Sequence, residues 1–202
     1  MSTLAAPPYI YAHLPSDQPW PDQGGWTYSD FLRLPDDGLR YEIIAGVLYV
    51  TNAPDPQHQY AVGEILGELR DHVKGHHLGV VYTAPIEVHL PGVAQPVQPD
   101  VLFIAQGRSD IVKAKFIEGA PDLIVEVTSA STARLDRKVK LDAYERAGVR
   151  EYWVVNPRTR FVEVYSLERG EYVLRAERGP GERLDSGVLP GLTAVTDVFF
   201  AM

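Results

Sequence analysis

Two Pro-Asp dipeptides, Pro99-Asp100 and Pro121-Asp122, each open a short run of strand-forming residues. The first run reads Val-Leu-Phe-Ile over 101–104. The second, Leu123-Ile124-Val125, ends on Glu126. An acid closing an apolar run is unusual, because a buried strand normally excludes charge. Carboxylates at the ends of neighbouring strands can share a divalent cation. Magnesium prefers oxygen ligands and keeps several waters, so two carboxylates and one carbonyl suffice. Such a cation stabilises charge on a phosphate and acidifies an attacking water. The chemistry expected is therefore metal-assisted phosphodiester hydrolysis. Asp100 and Glu126 are the expected ligands, with the carbonyl of Val127 as a natural third. Glu42 is either a further carboxylate of the site or an ordinary exposed strand acid.

Several elements must position these groups. A polar turn, Ser129-Ala130-Ser131-Thr132, follows Glu126. A helical pattern then runs from Arg134 to Ala147, stopped by Gly148, before the apolar run Tyr152–Val155. Ser129 and Ser131 are expected to cap that helix. Upstream, residues 40–51 alternate as a hairpin with its turn at Ala45-Gly46. Val62, Ile65, Leu66, Leu69 and Val73 keep helical spacing after Pro54-Asp55-Pro56. One strand is expected near Gly79–Leu90, a turn at Pro91-Gly92, and a loop with a short helical piece over 106–120. Phe161–Tyr165 and Tyr172–Leu174 form a second hairpin around Arg169-Gly170. Residues 26–202 are expected to make one α/β domain: a mixed β-sheet core flanked by helices, with added β-hairpins. Residues 1–25 form an irregular arm.

The chain has 202 residues, enough for one domain with a real core. It contains no cysteine, which removes disulfides, thiolate metal sites and thiol nucleophiles. No apolar run is long enough to span a membrane and no signal-peptide pattern opens the chain, so a cytoplasmic location is the default. The formal net charge of −8 argues against a generic nucleic-acid binder. The charge is unevenly spread, however. Residues 1–72 hold ten acids against three bases, whereas residues 134–160 hold eight bases against four acids. The basic stretch adjoins the suspected site, and it also fits a solvated helix face with ion pairs.

The pattern Tyr41-Glu42-Ile43-Ile44-Ala45-Gly46, His58, Pro85, Gln98-Pro99-Asp100-Val101 resembles the Uma2 family. So does the longer block Ala120-Pro121-Asp122-Leu123-Ile124-Val125-Glu126-Val127, Ser129, Ser131-Thr132, Asp136, Lys140, Tyr144, Gly148-Val149, Glu151-Tyr152-Trp153. The likeness covers about residues 26 to 166. That family is regarded as endonucleases of the PD-(D/E)XK, restriction-endonuclease-like fold. The resemblance implies Asp100 as the motif's Asp, Glu126 as its second acid, Mg²⁺ (or Mn²⁺) as cofactor, and DNA as the partner. A homodimer would suit the cutting of two strands. The motif places lysine two residues after the second acid, and here that position is Thr128, which carries no positive charge. Lys140, on the following helix, is the family position that would supply it.

Other candidates have local explanations as well. His58 opens the long helix, where an imidazole commonly caps or packs; beside a metal it would be a base or ligand. Asp122 lies an even number of residues from Glu126, so both could face one side of a sheet. Trp153 reads as core. No Gly-x-Ser-x-Gly elbow and no Gly-rich nucleotide motif is present. The function class expected is thus a metal-dependent endonuclease. The competing expectation is a non-catalytic nucleic-acid- or partner-binding protein of the same fold.

Overall fold

The computed structural model describes residues 14, 19–129 and 132–200. Most of the expected arm, and Ser131, lie outside the described residues. Three sheets and three α-helices organise the rest. The first hairpin joins β1 (Arg40–Ile44) and β2 (Val47–Thr51), with Ala45 and Gly46 both at positive φ in its turn. Helix α2 (Pro56–Gly75) follows the four-residue α1 (Tyr28–Phe31). Asp55 caps α2 by accepting from the His58 N–H at 2.8 Å, and Pro56 occupies the first turn, where its missing N–H costs nothing.

The expected strand over residues 79–90 is in fact two, β3 (Gly79–Thr83) and β4 (Glu87–Leu90), which enter different sheets. The turn expected after Leu90 leads into a further strand, β5 (Ala94–Val97). β6 (Val101–Ala105), β7 (Phe116–Glu118) and β8 (Leu123–Val127) come next. A 3₁₀ turn over Gln106–Ile111 stands between β6 and β7, so the expected 106–120 loop carries both a helical piece and a strand. After β8 the helical pattern begins as a π-helix, Leu135–Lys140, and becomes α3 (Leu141–Ala147). Gly148, at φ 85°, closes it as the sequence pattern requires. β9 (Glu151–Asn156), β10 (Phe161–Glu168), β11 (Glu171–Arg178), β12 (Arg183–Asp185) and β13 (Thr193–Val195) complete the chain, with a last 3₁₀ turn at Thr196–Phe199.

The central sheet has the order β11-β10-β9-β8-β6-β3 and is mixed: β8 and β9 are parallel, the other pairs antiparallel. A parallel pair needs a crossover, and the π/α3 helix provides it. The second sheet, β2-β1-β5-β4-β7, packs on one face of the central sheet, while β12 and β13 pair separately. Alternation along the strands divides the core. Val101, Phe103, Leu123 and Val125 face α2 and the C-terminal segment; Leu102, Ile104 and Ile124 face α3 and the second sheet. Ile65, Leu69 and Val73 of α2 are fully buried, each contributing about 1.5–3 kcal/mol by the area removed from water. Among the described residues, no helix is long and apolar enough to cross a membrane.

β3 is held against β6, the strand that Asp100 precedes, by a close backbone approach. Gly79 sits at φ 152° with a Cβ position already filled by the Ile104 carbonyl. Gly79→Ala is therefore expected to cost about 2–3 kcal/mol, read as a lowered urea midpoint. A change below about 0.5 kcal/mol would mean that β3 can slide without loss.

Candidate active site

The ladder between β6 and β8 pairs Val101 with Val125 and Leu102 with Ile124. One further step in that register sets Asp100 opposite Glu126, where Cβ atoms of facing residues lie about 4.5–5.5 Å apart. Strand parity points both side chains to the face that also carries Leu102 and Ile124. The two Pro-Asp runs therefore do deliver their acids to one place. Both line a cavity of about 30 Å³ together with Arg40, Glu42, His58, Asp136 and Lys140.

Asp100 is held by three groups. Arg40 Nη1 donates to Oδ1 at 2.9 Å, the Val127 N–H donates to Oδ2 at 2.9 Å, and His58 Nε2 lies 3.4 Å from Oδ1. Burial, the largest single influence, would raise its pKa. His58, Arg40 and Lys140 outweigh burial and bring the carboxyl down to about 2. Glu126 has the opposite balance. Burial pushes it well above the ordinary carboxylate range. Lys140 opposes that rise, while Asp100, Asp136 and Glu42 add to it. Lys140 Nζ donates to Glu126 Oε1 at 3.0 Å and Tyr144 Oη to the same oxygen at 2.7 Å.

Glu42 is not an exposed strand acid. It is buried, its Oε1 accepts the Gln98 N–H at 2.7 Å, and its Oε2 lies 2.9 Å from Lys140 Nζ. Lys140 is only 3 % exposed and touches Glu42, Glu126 and, at 3.9 Å, Asp136 Oδ1. Burial alone would lower the ammonium's pKa; those surrounding carboxylates reverse this and hold it above its usual value. Asp136 is raised to about 6, chiefly by burial, with Lys140 and the Thr132 hydroxyl pulling the other way. Within the π-helix, the Asp136 carbonyl accepts the Tyr152 hydroxyl at 3.1 Å.

Four acids thus face two fixed cations, Arg40 and Lys140, around one small cavity. The donor set is hard oxygen, and its negative excess suits a divalent cation. Among the described residues, however, no three acidic or histidine side chains converge as they stand to hold an ion. Lys140 instead spans two of the acids. Asp100 and Glu126, the two acids at the strand ends, carry the hard oxygen donors that such a cation prefers.

His58, expected to cap or pack locally, lies at the cavity wall. Asp122 lies apart from it. Its Oδ2 accepts the Ala105 N–H at 2.9 Å and its Oδ1 pairs with Arg108 and Arg150, so it ties strands together. Thr128 is buried just past the site, and its hydroxyl finds no partner among the described residues. Trp153 is core, as its apolar run suggests. Sequence reasoning missed Arg40 altogether and gave Tyr144 and Asp136 no chemical role of their own. For the last two, the signals were their places in the family-like block and their four-residue spacing on either side of Lys140.

A family model described as "Putative restriction endonuclease", Uma2, matches residues 28–198. The chain belongs to the Uma2 family. No curated protein matches it in sequence. Its structure is similar to that of a "putative nuclease belonging to DUF820" from Anabaena variabilis, with a TM-score of 0.69 at 18% identity. The alignment covers 86% of this chain and 97% of that one. At that identity the likeness establishes a shared fold, here a mixed α/β fold, while the family match makes the Uma2 chain nuclease-like. The likeness that the motifs suggested over 26–166 extends through the second hairpin to the C-terminal turns.

Proposed function

We propose that this Uma2 protein is a metal-dependent endonuclease that hydrolyses phosphodiester bonds in DNA. The observation that carries the reading is the buried Lys140 ammonium, bonded to Glu126 and Glu42 on the same wall as Asp100. It supplies from the crossover helix the positive charge that the motif expects at Thr128. Asp100, Glu126 and the Val127 carbonyl would hold Mg²⁺ or Mn²⁺. When bound, that cation would neutralise phosphate charge and acidify a water.

The chain's own residues do the rest. Arg40 and the Val127 N–H hold both oxygens of Asp100, and His58, Arg40 and Lys140 keep it ionised. Lys140 Nζ, aimed into the cavity by Glu42 and Glu126, is placed to donate to the attacking oxygen or to a non-bridging phosphate oxygen as charge grows there. Glu42 orients that ammonium through Oε2 while its Oε1 is anchored on the Gln98 N–H. Two copies acting on opposite strands would make a double-strand cut.

The same clamp supports a second reading, a non-catalytic nucleic-acid-binding protein in which Lys140 neutralises the acids in place of a metal. Calorimetry with Mn²⁺ separates the two, alongside incubation with plasmid DNA, single-stranded DNA and RNA. The nuclease reading expects Mn²⁺ binding and metal-dependent DNA cleavage, reduced by at least about 100-fold in Glu126→Gln. No heat of Mn²⁺ binding and no cleavage of any substrate would leave the binding protein.

A further inference from the structure

The central sheet ends on one side at β3, and that strand is paired along only one of its edges. The Gln106 N–H donates to the Leu78 carbonyl at 2.8 Å and the Ala84 N–H to the Asp100 carbonyl at 3.2 Å, which fixes the phase of the β3–β6 ladder. Hydrogen-bonded pairs alternate in an antiparallel ladder, so Val80 and Tyr82 bond to β6 as well. The N–H and C=O groups of Gly79, Val81 and Thr83 therefore point away from the sheet, and none has a hydrogen-bond partner among the described residues. Such an edge is a template for another strand, and proteins ordinarily blunt it with charge, proline, a bulge or a cover.

The outer edges of β2, β7 and β11 carry such protection. On β2 the Gln23 side-chain amide takes both outward groups of Leu48, accepting from its N–H at 2.7 Å and donating to its carbonyl at 3.4 Å. β7 is three residues long, and Val112 closes on it through an isolated bridge to Ile117. β11 is bulged opposite Val164 and Tyr165, carries Glu171, Arg175, Glu177 and Arg178, and gives its Tyr172 N–H to the Glu145 carboxylate. β3 has none of this. Gly79–Thr83 holds no charged residue, no proline and no bulge, in a chain of net charge −8. Its Val80 is left 40 % exposed.

We propose that β3 pairs with β3 of a second copy of this chain, antiparallel and about a two-fold axis at Val81. In that register Val81 faces its own counterpart and Gly79 faces the second copy's Thr83, so each outward N–H meets an outward C=O. Val80 then lies beside the second copy's Tyr82, a β-branched side chain against an aromatic one on the same sheet face. The pairing also has defined ends. Two residues beyond the strand, His77 at φ 53° would face Pro85, which has no N–H to give. Moving the axis to Val80 or Tyr82 instead sets Thr83 against His77 or Gly79 against Pro85. β6, the strand that Asp100 precedes, is the next one in, so the dimer would hold two acidic cavities in one continuous sheet. Two copies are what a double-strand cut by the proposed nuclease calls for, but the pairing itself rests on the strand alone. A contact this short lies at the small end of interface sizes, so a Kd of about 1–100 µM is expected.

The test is sedimentation velocity across that concentration range, without DNA or metal. Wild type is expected to pass from monomer to dimer within it. Val80→Lys adds a charge to the bare edge; it is expected to weaken dimerisation at least about tenfold and to leave the urea midpoint unchanged. Leu174→Lys, a charge at an exposed position of β11, should dimerise like wild type. Because the chain has no cysteine, a single Val81→Cys change gives a second readout. Facing residues of a hydrogen-bonded pair have Cα atoms about 5.5 Å apart, within disulfide reach, so oxidation should cross-link that variant and not Leu174→Cys. Monomer at every concentration with no Val81→Cys cross-link, or a dimer lost in Leu174→Lys and kept in Val80→Lys, overturns the proposal. DNA cleavage with Mn²⁺, measured separately, keeps the two readings apart. A dimer without cleavage removes the nuclease and keeps the interface, and cleavage by a strict monomer does the reverse.

Discussion

Lys140→Met is expected to abolish DNA cleavage and to destabilise the fold by about 3–5 kcal/mol near pH 7, the scale for breaking a buried ion pair from one side. Lys140 is enclosed and lies within 3.0 Å of both Glu126 and Glu42. Methionine fills much of the volume but leaves those acids, and Asp136, around a thioether. Burial already pushes Glu126 and Asp136 upward, and the ammonium is what restrains them. Without it the acids retain protons in the folded state that they release in the unfolded chain. A group whose folded pKa is raised in this way favours folding at low pH and penalises it as pH rises. The variant's deficit should therefore be small near pH 5 and largest near pH 8, as measured by urea unfolding at both. Mn²⁺ binding should survive, since the carboxylates and the Val127 carbonyl remain. An exposed Asp136–Lys140 pair would instead contribute about 0.3–0.5 kcal/mol and leave cleavage intact. A loss below about 1 kcal/mol near pH 8 would contradict the clamp, and full cleavage by the variant would remove Lys140 from the chemistry.

How much of this arrangement could be read from the sequence depends on the range of the interactions that set it. The hairpin at 40–51, the helix through Val62 and Val73, and the runs at 101–104, 123–126 and 152–155 are local patterns, and the structure follows them. Local signals also placed Asp100 and Glu126 at strand ends, and the register between β6 and β8 then set them opposite one another. The π-helix was not legible. Its sequence reads as a plain helix, and the wider turn goes with contacts made by distant residues, Glu126 and Glu42 to Lys140 and Tyr152 to Asp136. β5 was hidden because Pro96 removes a donor from its middle, which normally argues against a strand. β5 tolerates it through sparse pairing, with one partner residue on β1 and two on β4.

The site residues divide in the same way. Glu42 was ambiguous because burial on the hairpin depends on how the second sheet packs, which alternation within β1 does not reveal. Arg40 opens a strand and resembles any solvent-facing arginine until β1 is laid beside Gln98 and Asp100. His58 has a sufficient local account in the first turn of α2, and only the tertiary fold brings its ring to Asp100. Asp122 shared its Pro-Asp signal with Asp100, yet its oxygens are taken by Ala105, Arg108 and Arg150. A repeated dipeptide thus marked two strand starts, only one of which borders the cavity.

Replacing the two central acids one at a time is expected to move metal-free stability in opposite directions. From charge clustering alone, both would be expected to gain, because neighbouring carboxylates repel. The hydrogen bonds divide them. Asp100 has a folded pKa lowered to about 2 from its ordinary value, so it stabilises the protein above the unfolded pKa, and that stability is lost as pH falls through the folded value. Asp100→Asn can still accept the Val127 N–H, but it forfeits the charge facing Arg40 and His58. A loss of about 2–3 kcal/mol near pH 7 is expected, shrinking to little below about pH 2. Glu126 is raised well above the ordinary range, so its ionisation opposes folding as pH rises. Glu126→Gln keeps an acceptor for Tyr144 and Lys140 without that cost, and its melting temperature should equal or exceed the wild type's near pH 8. Both variants should lose Mn²⁺ affinity by calorimetry, because each removes one expected ligand. Equal destabilisation by the two would place Glu126, like Asp100, among the groups that hold the fold together. Unchanged Mn²⁺ affinity in either would move the cation away from that residue.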